Sequence, residues 1–409
     1  MIKSKKYYGL EFVRGVVAVE VAIAHFILIN SELKQYPVLK LISSWAMEAV
    51  ILFFVLSGIV INHSISTKKY DRSGFIRSRM IRILPAYWFS LVLTGMVQLS
   101  VSIPLPDFQT LLGNLFLVAT LQGYIVDTFV LNPPAWSLSF ESVFYLLIAW
   151  SFYSSRRYYR ISLWVVFGLV SVILLQNKTM DTGFSGHFIS IAAYSMIWLT
   201  GYAAYQWRHQ FHGHLLPALF LFLSVPLASR IHFIHAQFNI LGQILMGIIS
   251  VPYLIYLIQS EAGNDRKEGG SKRRGWVVFA CYFAVYLMLT GLLFAWSKST
   301  QEMLYFVVIL PWISFLLVAV HRLLEGRDNR IILPVGKVLG RISYPLYLFH
   351  FPIIIYVKSL FPDTIVYNIL VSLTATVTLC VVFEYSVQPK INSYFNRISM
   401  DNRSSFNNN

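Results

Sequence analysis

Apolar residues run through the chain in stretches long enough to cross about 30 Å of hydrocarbon, and short polar segments break them up. Twelve such stretches are expected to form membrane-spanning helices, near residues 9–29, 44–63, 83–102, 136–153, 160–176, 187–206, 215–229, 238–258, 276–296, 303–320, 342–358 and 366–387. Several are short. The run from Phe108 to Gln122 reads as a half-helix dipping into one leaflet. The pattern therefore predicts an all-α fold, a polytopic membrane helix bundle of ten to twelve transmembrane helices. Losing a pair of spans would change the count without moving the ends.

Composition agrees. The 409 residues are 56% hydrophobic and only 12% charged, with a mean hydropathy of +0.62, far from an ordinary soluble domain. A net charge of +15 would suggest nucleic acid in a soluble chain, but here position decides. With the N-terminus inside, 26 of the 33 Lys and Arg fall in the inner segments, six lie outside and Arg14 lies within the first span. The positive-inside rule thus predicts that both termini are cytoplasmic. It also assigns the basic residues to topology, with no nucleic-acid partner. Cys281 and Cys380 both sit in apolar runs, which suggests neither a disulfide framework nor a cysteine metal site. No cleavable signal peptide is expected, since the first apolar stretch carries charges.

No internal repeat is evident. Residues 1–390 read as one membrane domain and 391–409 as a polar cytoplasmic tail, with Gln259 to Gly275 a flexible loop. The long connection Ile103 to Ala135 has no Lys or Arg and carries an Asn132-Pro133-Pro134 turn, an irregular surface suited to an acceptor.

The first span carries Glu11, Arg14, Glu20 and His25. A charge at the centre of a membrane helix costs roughly 2.5–3.5 kcal/mol, while each large apolar residue returns only about 0.3–0.6. The helix must therefore face protein or a water-filled cavity, and its ionisable groups are functional candidates. Arg14 and His25 are three turns apart, about 16 Å along the axis, on one face. Glu11 shares that stripe, and Glu20 lies about 120° away.

Four further segments stand out, each with two readings. Phe53-Phe54-Val55-Leu56-Ser57-Gly58 reads as close helix packing through small residues, with Ser57 also a pocket candidate. Arg77, Arg79 and Arg82 read as a topology-setting basic cluster, or as a phosphate clamp of bidentate donors. Glu141, with Ser137 and Tyr145 four residues to either side, reads as a structural ion-pair partner of Arg14, or as an active-site carboxylate that orients a histidine or handles a proton. Ser343, Tyr347 and His350 fall on one stripe, either satisfied core polar groups or the wall of a cavity. His209, His212 and His214 lack supporting metal ligands, and His232 and His235, with Arg230, read as solvated.

The ordered set Arg14-x10-His25, FFVLSG, RSRMIRILPAYW, WSLSFESVFYL, SYPLYLFH and FEYSVQP resembles the acyltransferase-3 family of integral membrane O-acyltransferases, from Tyr8 to about Lys390. The resemblance implies transfer of an acyl group, most often acetyl from cytosolic acetyl-CoA, to a hydroxyl of an exported or lipid-linked carbohydrate, in a bacterial inner membrane. It makes Arg14 and His25 the essential pair and Glu141 a further catalytic candidate. It implicates Arg77, Arg79 and Arg82 in donor binding and supports Glu141, Ser343, Tyr347 and His350 as pocket residues, with Tyr145, beside Glu141, a further pocket candidate. No permanently bound cofactor is expected, and the partners are acyl-CoA, the carbohydrate and membrane lipid. Because the chain ends soon after the last helix, a stand-alone member is expected, similar to bacterial O-antigen or exopolysaccharide acetylases. Intramembrane charges fit a transporter or flippase equally well, and this remains the alternative.

Overall fold

The computed structural model describes residues 7–68, 70–120, 123–176, 183–210, 240–261 and 332–395, together with 218, 222 and 397. Among the described residues there are no strands, and nine helices are long and apolar enough to cross a membrane. They match nine of the twelve expected spans. Apart from residues 218 and 222, the expected spans at 215–229, 276–296 and 303–320 lie outside the described residues, as do Cys281, Arg230, His212, His214, His232, His235, most of the loop to Gly275 and the tail beyond Arg397.

The spanning helices are α1 (Tyr8–Ile29), α3 (Ala46–Thr67), α4 (Arg72–Ser100), α6 (Trp136–Phe152), α7 (Arg157–Gln176), α8 (Phe184–Trp207), α9 (Ile240–Glu261), α10 (Ile332–Leu360) and α11 (Ile365–Val382). Two short helices, α2 (Pro37–Ser43) and α5 (Phe108–Leu115), lie in connections. Helix α4 begins eleven residues earlier than the apolar run at 83–102, because its first three turns are basic and fall below any hydropathy threshold. Asp71 caps that start, accepting a hydrogen bond from the Gly74 N–H at 3.1 Å. Helix α9 likewise runs past Gln259 to Glu261. The Glu261 carboxylate accepts from the N–H of Tyr8 at 2.7 Å and from that of Gly9, so it caps α1, which has no side-chain cap of its own.

Helices α1 and α10 run parallel. Gly15 packs on Leu339 and Gly340 on Glu11 at one end, and Lys358 reaches Asn30 at 3.1 Å at the other. Small residues bring the backbones this close, since a Cβ on Gly15 would lie 2.5 Å from that of Leu339. Helix α4 lies parallel to α10, with Tyr344 donating to the Ile83 carbonyl at 2.9 Å and Phe89 against Phe349. Helix α11 descends antiparallel to α4.

Prolines inside these helices leave carbonyls without their usual helical donor. Two such vacancies are filled by amide side chains. Pro85 frees the Ile81 carbonyl, taken by Gln388 Nε2 at 3.0 Å, and Pro352 frees the Leu348 carbonyl, taken by Asn132 Nδ2 at 3.2 Å.

The connection from α4 to α6 turns back into the bundle. Tyr87 and Trp88 donate to the carbonyls of Asn114 and Leu115 at the end of α5, at 2.8 and 3.2 Å. Tyr87 lies thirteen residues, about 20 Å, before the end of α4, so α5 runs back along that helix in the manner of a half-helix. Irregular backbone at such depth is stable only against protein or a watery cavity.

Candidate active site

The polar stripe of α1 meets the polar stripe of α10 at two depths. Arg14 Nε donates to Ser343 Oγ at 3.0 Å, and its terminal nitrogen donates to the Gly340 carbonyl at 2.5 Å and lies 3.5 Å from Glu11 Oε2. Three turns further on, His350 Nε2 lies 3.1 Å from His25 Nδ1, with ring centroids 5.2 Å apart. His350 is 1% exposed and His25 is half-buried, with Phe351 edge-on to its ring.

At the Arg14 end lies a pocket of about 350 Å³ lined by Glu11, Arg14, Arg82, Arg341, Glu384 and Gln388, among others. Four helices converge there. Arg82 Nη1 contacts both oxygens of Glu384, at 2.8 and 3.1 Å, and Arg341 lies over the Tyr385 ring. Residues Phe383–Val387 form a π-helical turn, the widening from which Glu384 and Gln388 both reach α4. The clustered arginines do not act as one clamp on this pocket. Arg77 donates to the Phe395 carbonyl and Arg79 to Ser64 Oγ, and of the three only Arg82 lines the pocket.

The family model for the acyltransferase domain of acyltransferase-3 proteins matches residues 7–385, nearly the whole chain. The chain belongs to the acyltransferase-3 family. No curated protein and no solved structure matches it.

The remaining candidates of this membrane acyltransferase fall into two groups. Glu141 accepts from Ser57 Oγ at 2.6 Å and from the Tyr145 hydroxyl, and Trp198 Nε1 donates to Ser57 at 3.1 Å. No hydrogen bond or ion pair joins Glu141 to Arg14 or His25, and Ser137 turns the other way. Its Oγ lies 2.9 Å from the Tyr347 hydroxyl, which donates to the Pro134 carbonyl at 2.6 Å. Tyr347 thus fastens the start of α6 to α10, one turn before His350. FFVLSG divides its labour: Ser57 belongs to the Glu141 cluster, while Gly58 packs on the backbone of Trp198 and Gly201 on that of Val55.

Sequence reasoning did not single out Arg341, Glu384 or Gln388 as site residues, although FEYSVQP contains two of them. Arg341 counted only as an inner charge. Glu20 stands apart: both its oxygens are buried without a hydrogen-bond partner, near Glu48. Among the described residues no group of His, Cys, Asp and Glu could hold a metal.

Proposed function

We propose that this acyltransferase moves an acetyl group from cytosolic acetyl-CoA to a hydroxyl of an exported or lipid-linked carbohydrate, in a bacterial inner membrane. The observation that carries the reading is the separation of the two ends of the α1 and α10 stripe. One end opens on an arginine-lined pocket, and the other, about 16 Å along the axis, presents a histidine. A CoA thioester has that shape, with its phosphates at one end and its acyl carbon at the tip of a long flexible arm.

In this reading the phosphates meet Arg14, Arg82 and Arg341 in the pocket, and Arg77 and Arg79 add only longer-range positive charge. Guanidinium groups give phosphate oxygens rigid paired donors. The acyl carbon extends toward His25, where the acceptor hydroxyl arrives from the opposite end. His25 takes the hydroxyl proton as the oxygen attacks the thioester carbon. The tetrahedral intermediate collapses, the C–S bond breaks, and the thiolate leaves with the proton from His25. Glu141, Ser57 and Tyr145 form one hydrogen-bonded cluster, while Ser343 bonds Arg14 and Tyr347 bonds Ser137 and the Pro134 carbonyl.

The pocket end carries Arg77, Arg82, Arg156, Arg157, Lys337 and Arg341, which supports placing it, and both termini, in the cytoplasm. Helix directions support the twelve-span layout. Helices α8 and α9 point the same way, with Ile197 near Gly247 and the Arg208 carbonyl 2.5 Å from Gln259 Nε2, as the twelve-span layout expects of them.

The test is acetyl-ester content of surface glycans, read by mass spectrometry and NMR in cells with the wild-type gene, with none, and with His25→Ala. Ester present only with the wild type supports the reading. Normal ester with His25→Ala at normal abundance overturns it.

A further inference from the structure

We propose that His350 is a positioning residue that, together with the Val21 carbonyl, holds His25 in one tautomer and orientation, leaving the lone pair on Nε2 of His25 to act as the base. This rests on the reading of His25 given above.

Three distances decide the protonation pattern. His25 Nδ1 lies 2.9 Å from the Val21 carbonyl, one turn back on its own helix. A carbonyl oxygen only accepts, so Nδ1 carries a proton. His350 Nδ1 lies 2.9 Å from the Leu346 carbonyl and carries a proton for the same reason. The remaining nitrogen of His350, Nε2, faces His25 Nδ1 at 3.1 Å. Two N–H groups pointed at each other across that distance repel, so His350 Nε2 holds a lone pair and His350 is neutral. The His25 N–H is then shared between the Val21 carbonyl and His350, and in the neutral ring Nε2 is the nitrogen without a proton.

The arrangement does what a carboxylate does for the histidine of a hydrolase triad, with a neutral acceptor instead of a charged one. When His25 Nε2 takes the acceptor proton, the ring becomes an imidazolium. Its Nδ1–H bond to His350 then strengthens as a charge-assisted bond, and no negative charge has to be held in the membrane. Register keeps the rings at one depth. Arg14 is tied to Gly340 and Ser343 below them, and Asn30 to Lys358 above. The Tyr347 hydroxyl, anchored on Pro134 and Ser137, holds the α10 turn from which His350 projects.

Two measurements test the proposal. Solid-state ¹⁵N NMR of histidine-labelled wild-type protein in lipid, with His25 assigned by loss of its signals in His25→Gln, is expected to show a protonated Nδ1 and a bare Nε2. A proton on Nε2 overturns the proposal whether or not any activity is found. The second is kcat for acetyl transfer by three purified variants. His350→Gln puts an amide oxygen where Nε2 stood and is expected to stay within about tenfold of wild type, whereas His350→Phe falls by about 10²-fold or more. His350→Asn, whose amide reaches only the Nδ1 position, is expected to fall as far as Phe. Acetyl-CoA affinity should be the same in all three. Equal activity of the Gln, Asn and Phe variants overturns the proposal. Full activity of His25→Ala instead sinks the underlying reading, and the NMR result stands independently of it.

Discussion

Arg82 on α4 and Glu384, in the π-helical turn that follows α11, form an ion pair at 2.8 Å on the wall of the arginine-lined pocket. An anion entering there competes with the carboxylate for the same guanidinium. Removing the competitor should help the ligand, and removing the guanidinium should hurt it. Glu384→Gln is expected to tighten acetyl-CoA binding by about 2- to 10-fold, the worth of a partly exposed pair. Arg82→Ala is expected to weaken it by about 10- to 100-fold, the worth of a charge-assisted bond. Isothermal titration at two salt concentrations checks both, and the affinity should fall as salt rises.

Arg14 serves three acceptors from one fork: Ser343 Oγ, the Gly340 carbonyl and Glu11. A lysine brings the charge without the fork. Arg14→Lys is expected to lose acyl transfer nearly as fully as Arg14→Ala, to within about threefold in kcat/KM. A lysine variant close to wild type would show that charge alone is needed.

Gly201 sits where a Cβ would lie 2.0 Å from the Val55 carbonyl oxygen, and Gly58 where one would lie 2.2 Å from that of Trp198. Backbone cannot yield as a side chain tip can. Gly201→Val is expected to destabilise the bundle by about 1–3 kcal/mol, seen as a lower midpoint of thermal unfolding in detergent. Gly95→Ala is the control, because its nearest neighbour would be Leu105 at 3.5 Å. It should leave the midpoint unchanged or slightly raised.

Asp107 caps α5, accepting from the Thr110 N–H at 2.7 Å, and that backbone hydrogen bond holds its carboxyl below the usual value of 3.8. A carboxylate with a depressed pKa in the folded state contributes fully above its unfolded pKa, and the contribution is lost as pH falls through the folded one. Hydrogen exchange of the α5 amides should therefore be independent of pH-linked opening near neutrality, after correction for intrinsic rates, and opening should rise only below about pH 3.8. Asp107→Ala should show the raised opening at neutral pH.

The stripes of α1 and α10 were legible because helical geometry fixes them. Arg14, His25, Ser343 and His350 lie where a period of 3.6 puts them, and a charge in lipid needs a partner. That His25 would face His350 rather than Glu141 was not legible, because it depends on which helix packs on which. The arginine cluster shows the other limit. Hydropathy starts the third span at residue 83, so Arg77, Arg79 and Arg82 read as one interfacial patch. Within a helix beginning at Arg72 they are spread around the axis by 100° per residue, and they leave in different directions. Glu384 and Gln388 became site residues only through the π-helical turn and the carbonyl freed by Pro85, neither of which has a periodic signature.

The pairing of α1 with α10 also sets an order of events during synthesis. The α10 partners of Arg14 and His25 lie more than 300 positions later in the chain. Until they are made, the Arg14 charge has only Glu11, on its own helix, beside it. A chain cut short before Gly340 lacks every α10 partner of these two side chains. The His25–His350 pair is likewise completed only when α10 has been made.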